Sequence, residues 1–397
     1  MLETWRWFGP SDTVTLKHIR QSGARGVVTS LHDVATGDVW TLEAIEARKA
    51  LIEAAGLRWE VVESLPLHND IKTRSGDYAR YIDNYRTSLR HLAEAGIEVV
   101  CYNFMPVVDW TRTSLMHPGP DESKTLRFEM TDFAAYDVYM LERENAERDY
   151  PAALLARARE RFAGMSAPER ELLEKNIIAG LPGGEGSYGR DGIREAIAQF
   201  IRLGETGLKQ NLQAFLNDVL PVAEAGGIRL CVHPDDPPFT LFGLPRAMST
   251  ADDARALFEA VPSPSNGLTL CAGSFGSRPD NNLADMAREF GERIFFVHLR
   301  NVQRDADGSF CESGHITGDN DMVALIEALL DEEARRDRAG RRDRIPMRPD
   351  HGQLLEDESN RPGINPGYSY AGRLKGLAEL RGVIHALESL RQAGRLS

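Results

Sequence analysis

Eight short apolar runs recur along the chain, each followed by a stretch of helical periodicity. This alternation constrains the fold more than any other feature. The runs are LETWRWF (2–8), GVVTSL (26–31), LRWEVVES (57–64), IEVVCYNFMPV (97–107), IRLCVHPDD (228–236), LTLCAGSF (268–275), IFFVHLRNV (294–302) and IPMRPDHG (345–352). Between them lie amphipathic stretches such as TLEAIEARKALIEAAG (41–56) and YARYIDNYRTSLRHLAEAG (78–96), several closed by a glycine just before the next strand. A glycine there is the usual helix stop. Strand–helix alternation predicts a parallel sheet covered by helices, and eight such units match a (β/α)8 TIM barrel. We expect the closed α/β barrel rather than an open doubly wound sheet.

A barrel of this kind needs about 250 residues, and the chain has 397. The excess sits in one place. Residues 108–227 carry no convincing strand but several helix-like stretches, for example 150–180. The last, LKQNLQAFLNDVLPVAEAGG (208–227), reads as the regular helix before the fifth strand. Its predecessors, about 108–207, are expected to form a helical insertion after strand four, within a single barrel domain spanning 1–397. The insertion also holds GEGSYG (184–189), a match to the G-x-G-x-x-G dinucleotide fingerprint. That motif has meaning only directly after a strand and before a helix. Here helix precedes it, so a glycine turn is expected.

The net charge of −13 and pI near 5.4 oppose binding to a phosphate backbone. No window approaches 18 uninterrupted apolar residues, so no membrane span is expected. The opening MLETWRWFGP lacks the basic start and apolar run of a signal peptide. Four scattered cysteines (Cys101, Cys231, Cys271, Cys311) do not make a disulfide framework. A reducing, cytoplasmic setting follows, in which a thiolate can serve as a metal ligand.

Catalytic groups of a barrel project from the C-terminal ends of its strands. The last four strands carry His233, Cys271, His298 and Asp350 near those ends. Any one of them has a bland explanation, as a surface histidine, an apolar filler or a turn cap. Four at corresponding points of consecutive strands predict one metal site. Thiolate and imidazole suit Fe(II), Zn or Co, whereas carboxylate and substrate oxygens suit Mn. A six-coordinate sphere completed by substrate favours Fe(II) or Mn(II) over tetrahedral zinc. Arg6, Glu63, Ser64, Asn103 and Arg300 crowd the same rim, and NPGYSYAGRLKG (365–376) adds Tyr368, Tyr370 and Arg373 from a glycine-rich loop. We expect Arg6, Asn103, Arg300, Arg373 and His315 to contact a hydroxyl-rich carboxylate. Cys101 and Cys231 are expected in packing, and Cys311 in a loop.

Several long segments then resemble the mannonate dehydratases, enzymes of bacterial hexuronate breakdown. They include VVCYNFMPVVDWTRT (99–113), AGLPGGE (179–185), CVHPDDPP (231–238), FVHLRNV (296–302), HITGDNDM (315–322), RPDHG (348–352) and NPGYSYAGRLKGLAELRG (365–382). The resemblance implies a xylose isomerase-like barrel using Mn(II) or Fe(II), with metal ligands at the four positions already named. It puts the acid–base residues at His351 and Tyr368. The implied reaction is loss of water from D-mannonate to give 2-keto-3-deoxy-D-gluconate. Its difficulty is the C2 proton, whose loss builds a second negative charge beside the carboxylate, so a divalent cation is needed to offset it. Tyr368 is expected as base and His351 as acid. His351 can join Asp350 in the site only if the strand ends or bends there, a bend that Gly352 would ease. A homo-oligomer acting on a small aldonate completes the expectation. The rivals are a metal-dependent sugar isomerase or epimerase on the same barrel, a metal-dependent abasic-site endonuclease, and a sugar-binding protein without catalysis.

Overall fold

The computed structural model describes residues 1–178 and 190–395. Four strands come first: β1 (Leu2–Arg6), β2 (Gly26–Thr29), β3 (Arg58–Glu63) and β4 (Val99–Asn103). A hairpin follows at once, β5 (Ser114–Pro118) and β6 (Lys124–Phe128). Then come β7 (Arg229–His233), β8 (Asn266–Cys271) and β9 (Ile294–His298). The last are β10 (Val302–Arg304), β11 (Phe310–Glu312) and β12 (Pro346–Arg348). Eight of them close into a barrel in the order β1-β12-β9-β8-β7-β4-β3-β2, every pair parallel. Each of the eight apolar runs contributes one of these strands, and closure excludes the open sheet.

The runs are near-continuously apolar because both faces are covered: β2, β8, β9 and β12 are buried at every residue. Polar residues start the intervening helices. Thr15 and Thr250 each accept a hydrogen bond from the third backbone N–H of their helix, and His18 and Asp253 reach back to complete capping boxes. Each such cap contributes roughly 1 kcal/mol.

The insertion holds helices as expected, at Met130–Ala135, Ala152–Gly164 and Ala167–Ile178. It begins, however, with the β5–β6 hairpin, where no strand was expected. β5 and β6 join β11 and β10 in an antiparallel sheet of order β10-β11-β6-β5. Cys311, expected in a loop, therefore lies on β11, opposite Gln303 of β10 and Arg127 of β6. Aromatic packing anchors this sheet, with the Phe128 ring 5.8 Å from Phe310, 5.4 Å from Phe133 and 5.6 Å from Phe239. The helical segment Arg190–Ala225 breaks at Gly204 (φ 69°, ψ 174°). Its second half is the expected helix before β7, whose Phe215 packs edge-on against Tyr85 and Tyr102. GEGSYG lies outside the described residues.

Candidate active site

Strand register sets the level of the site. Asn103 lies in register with His233, Cys271 with His298, and His298 with Arg348. Strand ends at one level of a closed barrel point into one mouth. His233, Cys271 and His298 accordingly bring their donor atoms within 4.8 Å of one another. Beneath them the Phe296 ring meets His298 edge-on at 4.6 Å. Phe296 belongs to a small apolar cluster with Val28, Val61, Val99, Cys101 and Cys231, separate from the main core.

Asp350 borders the three donors: its Oδ2 lies 3.8 Å from Cys271 Sγ and 3.9 Å from His298 Nδ1. Its carboxylate also receives Arg348 at 2.5 Å and Arg300 Nε at 2.7 Å. β12 stops at Arg348, and Asp350 adopts φ 64°, a left-handed conformation uncommon outside glycine. The bend expected at Asp350 is thus present, made by the backbone of Asp350 itself, and it turns Asp350 and His351 into the mouth. Gly352 answers a different need. A Cβ there would sit 2.3 Å from the backbone nitrogen of Arg373 and 2.4 Å from the carbonyl carbon of Gly372. Only glycine lets the strand exit pass so close to the helix Tyr370–Gln392.

His351 Nδ1 lies 2.7 Å from Glu312 Oε1, and its Nε2 lies 3.0 Å from the Tyr368 hydroxyl. Burial pushes the Tyr368 phenol up to about 12, against the opposing pull of Arg348. Burial also acts to raise the Cys271 thiol, but Arg300, His298 and a hydrogen bond from His233 hold it well below the ordinary range. These surroundings favour the thiolate form of Cys271. His233 is its counterpart: burial lowers its pKa, yet the hydrogen bond and charge of Cys271 carry it up to about 10. His233 Nδ1 is 2.7 Å from the Pro234 carbonyl; donating there leaves Nε2 for the thiolate side. Glu63 Oε1 stands 3.2 Å from His298 Nε2, yet among the described residues neither ring nitrogen of His298 makes a hydrogen bond of acceptable geometry.

Around these groups runs a buried ion-pair network. Glu63 pairs with Arg6 at 3.0 Å and Arg348 at 2.9 Å. Asp236 pairs with Arg112 at 2.7 Å and with Arg300, and Glu312 with Arg112 at 3.2 Å and with Arg300. The networked charges are held in low dielectric, where an unpaired one would cost several kcal/mol.

Arg6, Asn103 and Arg300 line the cleft together with His233, Asp350, His351 and Tyr368. Arg373 and His315, expected at the substrate, are not among the lining residues. Arg373 is buried behind the site, donating to the carbonyls of Arg6 (2.9 Å), Tyr368 (2.8 Å) and Ser369 (3.1 Å). His315 is buried too, its Nε2 2.7 Å from the Pro349 carbonyl. Both hold backbone next to site residues. Sequence reasoning missed Glu312, Asp236, Arg112 and His32. Only Glu312 left a signal, since Asp307-Gly308 ahead of it is a dipeptide favoured in hairpin turns.

A family profile described as D-mannonate dehydratase (UxuA) matches residues 1–394. The chain is 63% identical over 393 residues to a mannonate dehydratase of Saccharophagus degradans, covering 99% of both chains. It is 56% identical over 388 residues to mannonate dehydratase 2 of Agrobacterium fabrum, covering 98% of both. Among solved structures, the mannonate dehydratase of Streptococcus suis serotype 2 superposes with a TM-score of 0.78 at 32% identity, covering 100% of this chain and 95% of the other. The chain belongs to the D-mannonate dehydratase family.

Proposed function

We propose that the protein removes water from D-mannonate to give 2-keto-3-deoxy-D-gluconate, using Mn(II) or Fe(II) held by His233, Cys271, His298 and Asp350. The observation that carries this reading is the meeting of two imidazoles and a thiolate at the barrel mouth, beside a hydrogen-bonded histidine–tyrosine pair. Family membership supports the substrate. The donor set fits a divalent cation: the surroundings of Cys271 favour its ionised form, His233 has its Nδ1 committed to a carbonyl, and among the described residues neither buried nitrogen of His298 has a hydrogen bond. When bound, such a cation would offset the charge that grows beside the substrate carboxylate as the C2 proton leaves.

Charge balance favours the same substrate class. With the imidazoles neutral, as ligands to a cation are, four guanidiniums (Arg6, Arg112, Arg300, Arg348) face four carboxylates (Glu63, Asp236, Glu312, Asp350) and the thiolate that the surroundings of Cys271 favour. One negative charge is in excess. A dication and a monoanionic aldonate together bring the buried cluster to neutrality.

The protein's own residues move the protons. A phenol with its pKa near 12 does not ionise unaided at neutral pH. Its hydrogen-bonded neighbour supplies the acceptor: the Tyr368 proton passes to His351 Nε2 as Tyr368 oxygen takes the C2 proton. His351 then gives its proton to the C3 hydroxyl, which departs as water. The enol tautomerises to the keto acid, and both residues regain their starting state. Arg6 and Arg300 line the cleft as cations for the carboxylate, and the Asn103 amide offers a donor and an acceptor to the sugar hydroxyls. The four free thiols agree with a cytoplasmic enzyme, and we extend the proposal to a homo-oligomer.

Anaerobic incubation of the chelated and Mn(II)- or Fe(II)-loaded protein with D-mannonate tests the reading. A product lighter by one water, formed only with metal, is expected. An unchanged mass with altered chromatographic mobility would favour sugar isomerisation or epimerisation, and unaltered substrate a binding protein.

A further inference from the structure

We infer that Glu312 is a positioning residue for the acid–base pair, and that the antiparallel sheet joining the insertion to the β9–β12 connection serves to bring it there. The inference rests on the dehydratase reading of the cleft. Glu312 is the last residue of β11, in neither of the chain segments that supply His351 and Tyr368. Its Oε1 stands 2.7 Å from His351 Nδ1. A carboxylate only accepts, so the imidazole donates from Nδ1 and its Nε2 is left with a lone pair. That lone pair faces the Tyr368 hydroxyl at 3.0 Å. Glu312, His351 and Tyr368 thus form one line along which a proton can move from phenol to imidazole. The carboxylate then stabilises the imidazolium that results.

The surroundings of Glu312 keep it an anion. Burial acts to raise its pKa, but His351, Arg300 and Arg112 hold it below the ordinary range. Its backbone is fixed as well, because Thr125 of β6 donates to the Glu312 carbonyl at 2.9 Å and β11 pairs with β6 and β10. Arg112, just before β5, donates to both Glu312 and Asp236, tying the start of the insertion to the barrel. The sheet therefore has a use that the barrel strands cannot meet. Of the two barrel neighbours of β12, β1 ends in the cation Arg6 and β9 in the candidate metal donor His298, and the partner for the far nitrogen of His351 comes from outside the barrel.

Three variants and one spectrum test this. Glu312→Gln keeps an oxygen acceptor for Nδ1–H and loses the charge, Glu312→Ala loses both, and Glu312→Asp keeps the charge on a shorter arm. Kcat should fall about tenfold or more in Gln and about 10²-fold or more in Ala, with metal content unchanged and KM altered less than about threefold. Asp should recover part of the Ala loss. A merely structural carboxylate would instead move thermal stability, KM and metal content together. Kcat within threefold of wild type in folded, metal-loaded Glu312→Ala would overturn the inference. Should the variants not fold, ring-¹⁵N spectra of the wild-type protein loaded with diamagnetic Zn(II) decide: His351 protonated at Nδ1 supports the inference, and the Nε2–H tautomer overturns it. The tautomer is read without substrate. A wild type inactive on D-mannonate would therefore sink the functional reading separately.

Discussion

Replacing Tyr368 by phenylalanine separates chemistry from folding cleanly, because the ring and the hydroxyl have different jobs. The ring is held edge-on by Phe8 at 4.7 Å and by the Arg373 guanidinium at 5.4 Å, and Arg373 grips the backbone carbonyl at 2.8 Å. None of these contacts uses the hydroxyl. Its hydrogen bond to His351 is what the substitution removes, so stability should change by no more than about 1 kcal/mol. Metal content should be unchanged, since Tyr368 is not among the candidate donors. Turnover should collapse: a positioned general base contributes roughly 10²- to 10⁴-fold, or about 3 to 5 kcal/mol of barrier. The assay is keto-acid formation from D-mannonate at saturating substrate, with metal analysis and calorimetric binding of D-mannonate on the same preparation. Loaded variant that binds substrate and turns over within threefold of wild type would remove Tyr368 from the mechanism.

Three further outcomes are expected. Cys271→Ser should keep the fold but lose metal and activity together, as measured by elemental analysis and assay; normal metal content with full turnover would refute the thiolate ligand. Gly352→Ala should be destabilised by about 2 kcal/mol or more, because the new methyl meets backbone at 2.3 Å; an unchanged urea midpoint would contradict that close approach. His32 lines the cleft with both ring nitrogens unpartnered, and burial, with Arg6 and Arg48, lowers its pKa from 6.5 to about 3. Its folded pKa lies below the unfolded one, so the unfolded chain binds the extra proton and stability is lost as pH falls from about 6.5 towards 3. Between pH 7.5 and 5 this amounts to about 2 kcal/mol, a loss that His32→Gln should abolish; parallel pH–stability curves for the two proteins would count against it.

The barrel was legible because parallel strands buried on both faces read as apolar runs: four of the eight are buried throughout and the other four over most of their inner residues. The small sheet was not. β5 is half-exposed along its length, and β10 and β11 have three residues each, too few for a period to register. The meeting of His233, Cys271 and His298 at the barrel mouth was legible because register carries strand ends to one level, so the three could be aligned from sequence alone. Asp350 was placed beside them by the same logic, and the bend expected at Asp350 is there, as a left-handed turn of its own backbone. Glu312 and Asp236 stayed hidden because their partners are distant in sequence: Arg112 reaches across 124 residues to Asp236 and 200 to Glu312. Arg373 and His315 show the opposite difficulty. Their positions near the mouth are right in outline, but each turns its polar atoms to a backbone carbonyl, a choice made by packing that residue type does not announce.

The proposed function requires one divalent cation held by His233 of β7, Cys271 of β8, His298 of β9 and Asp350 just beyond β12. Anomalous diffraction at the manganese or iron edge, on crystals of protein that is active on D-mannonate, tests it most directly. A single strong peak bonded to His233 Nε2, Cys271 Sγ, a ring nitrogen of His298 and a carboxylate oxygen of Asp350 is the predicted result. Full activity in crystals with no peak at those atoms, or with the metal bound elsewhere, would contradict it.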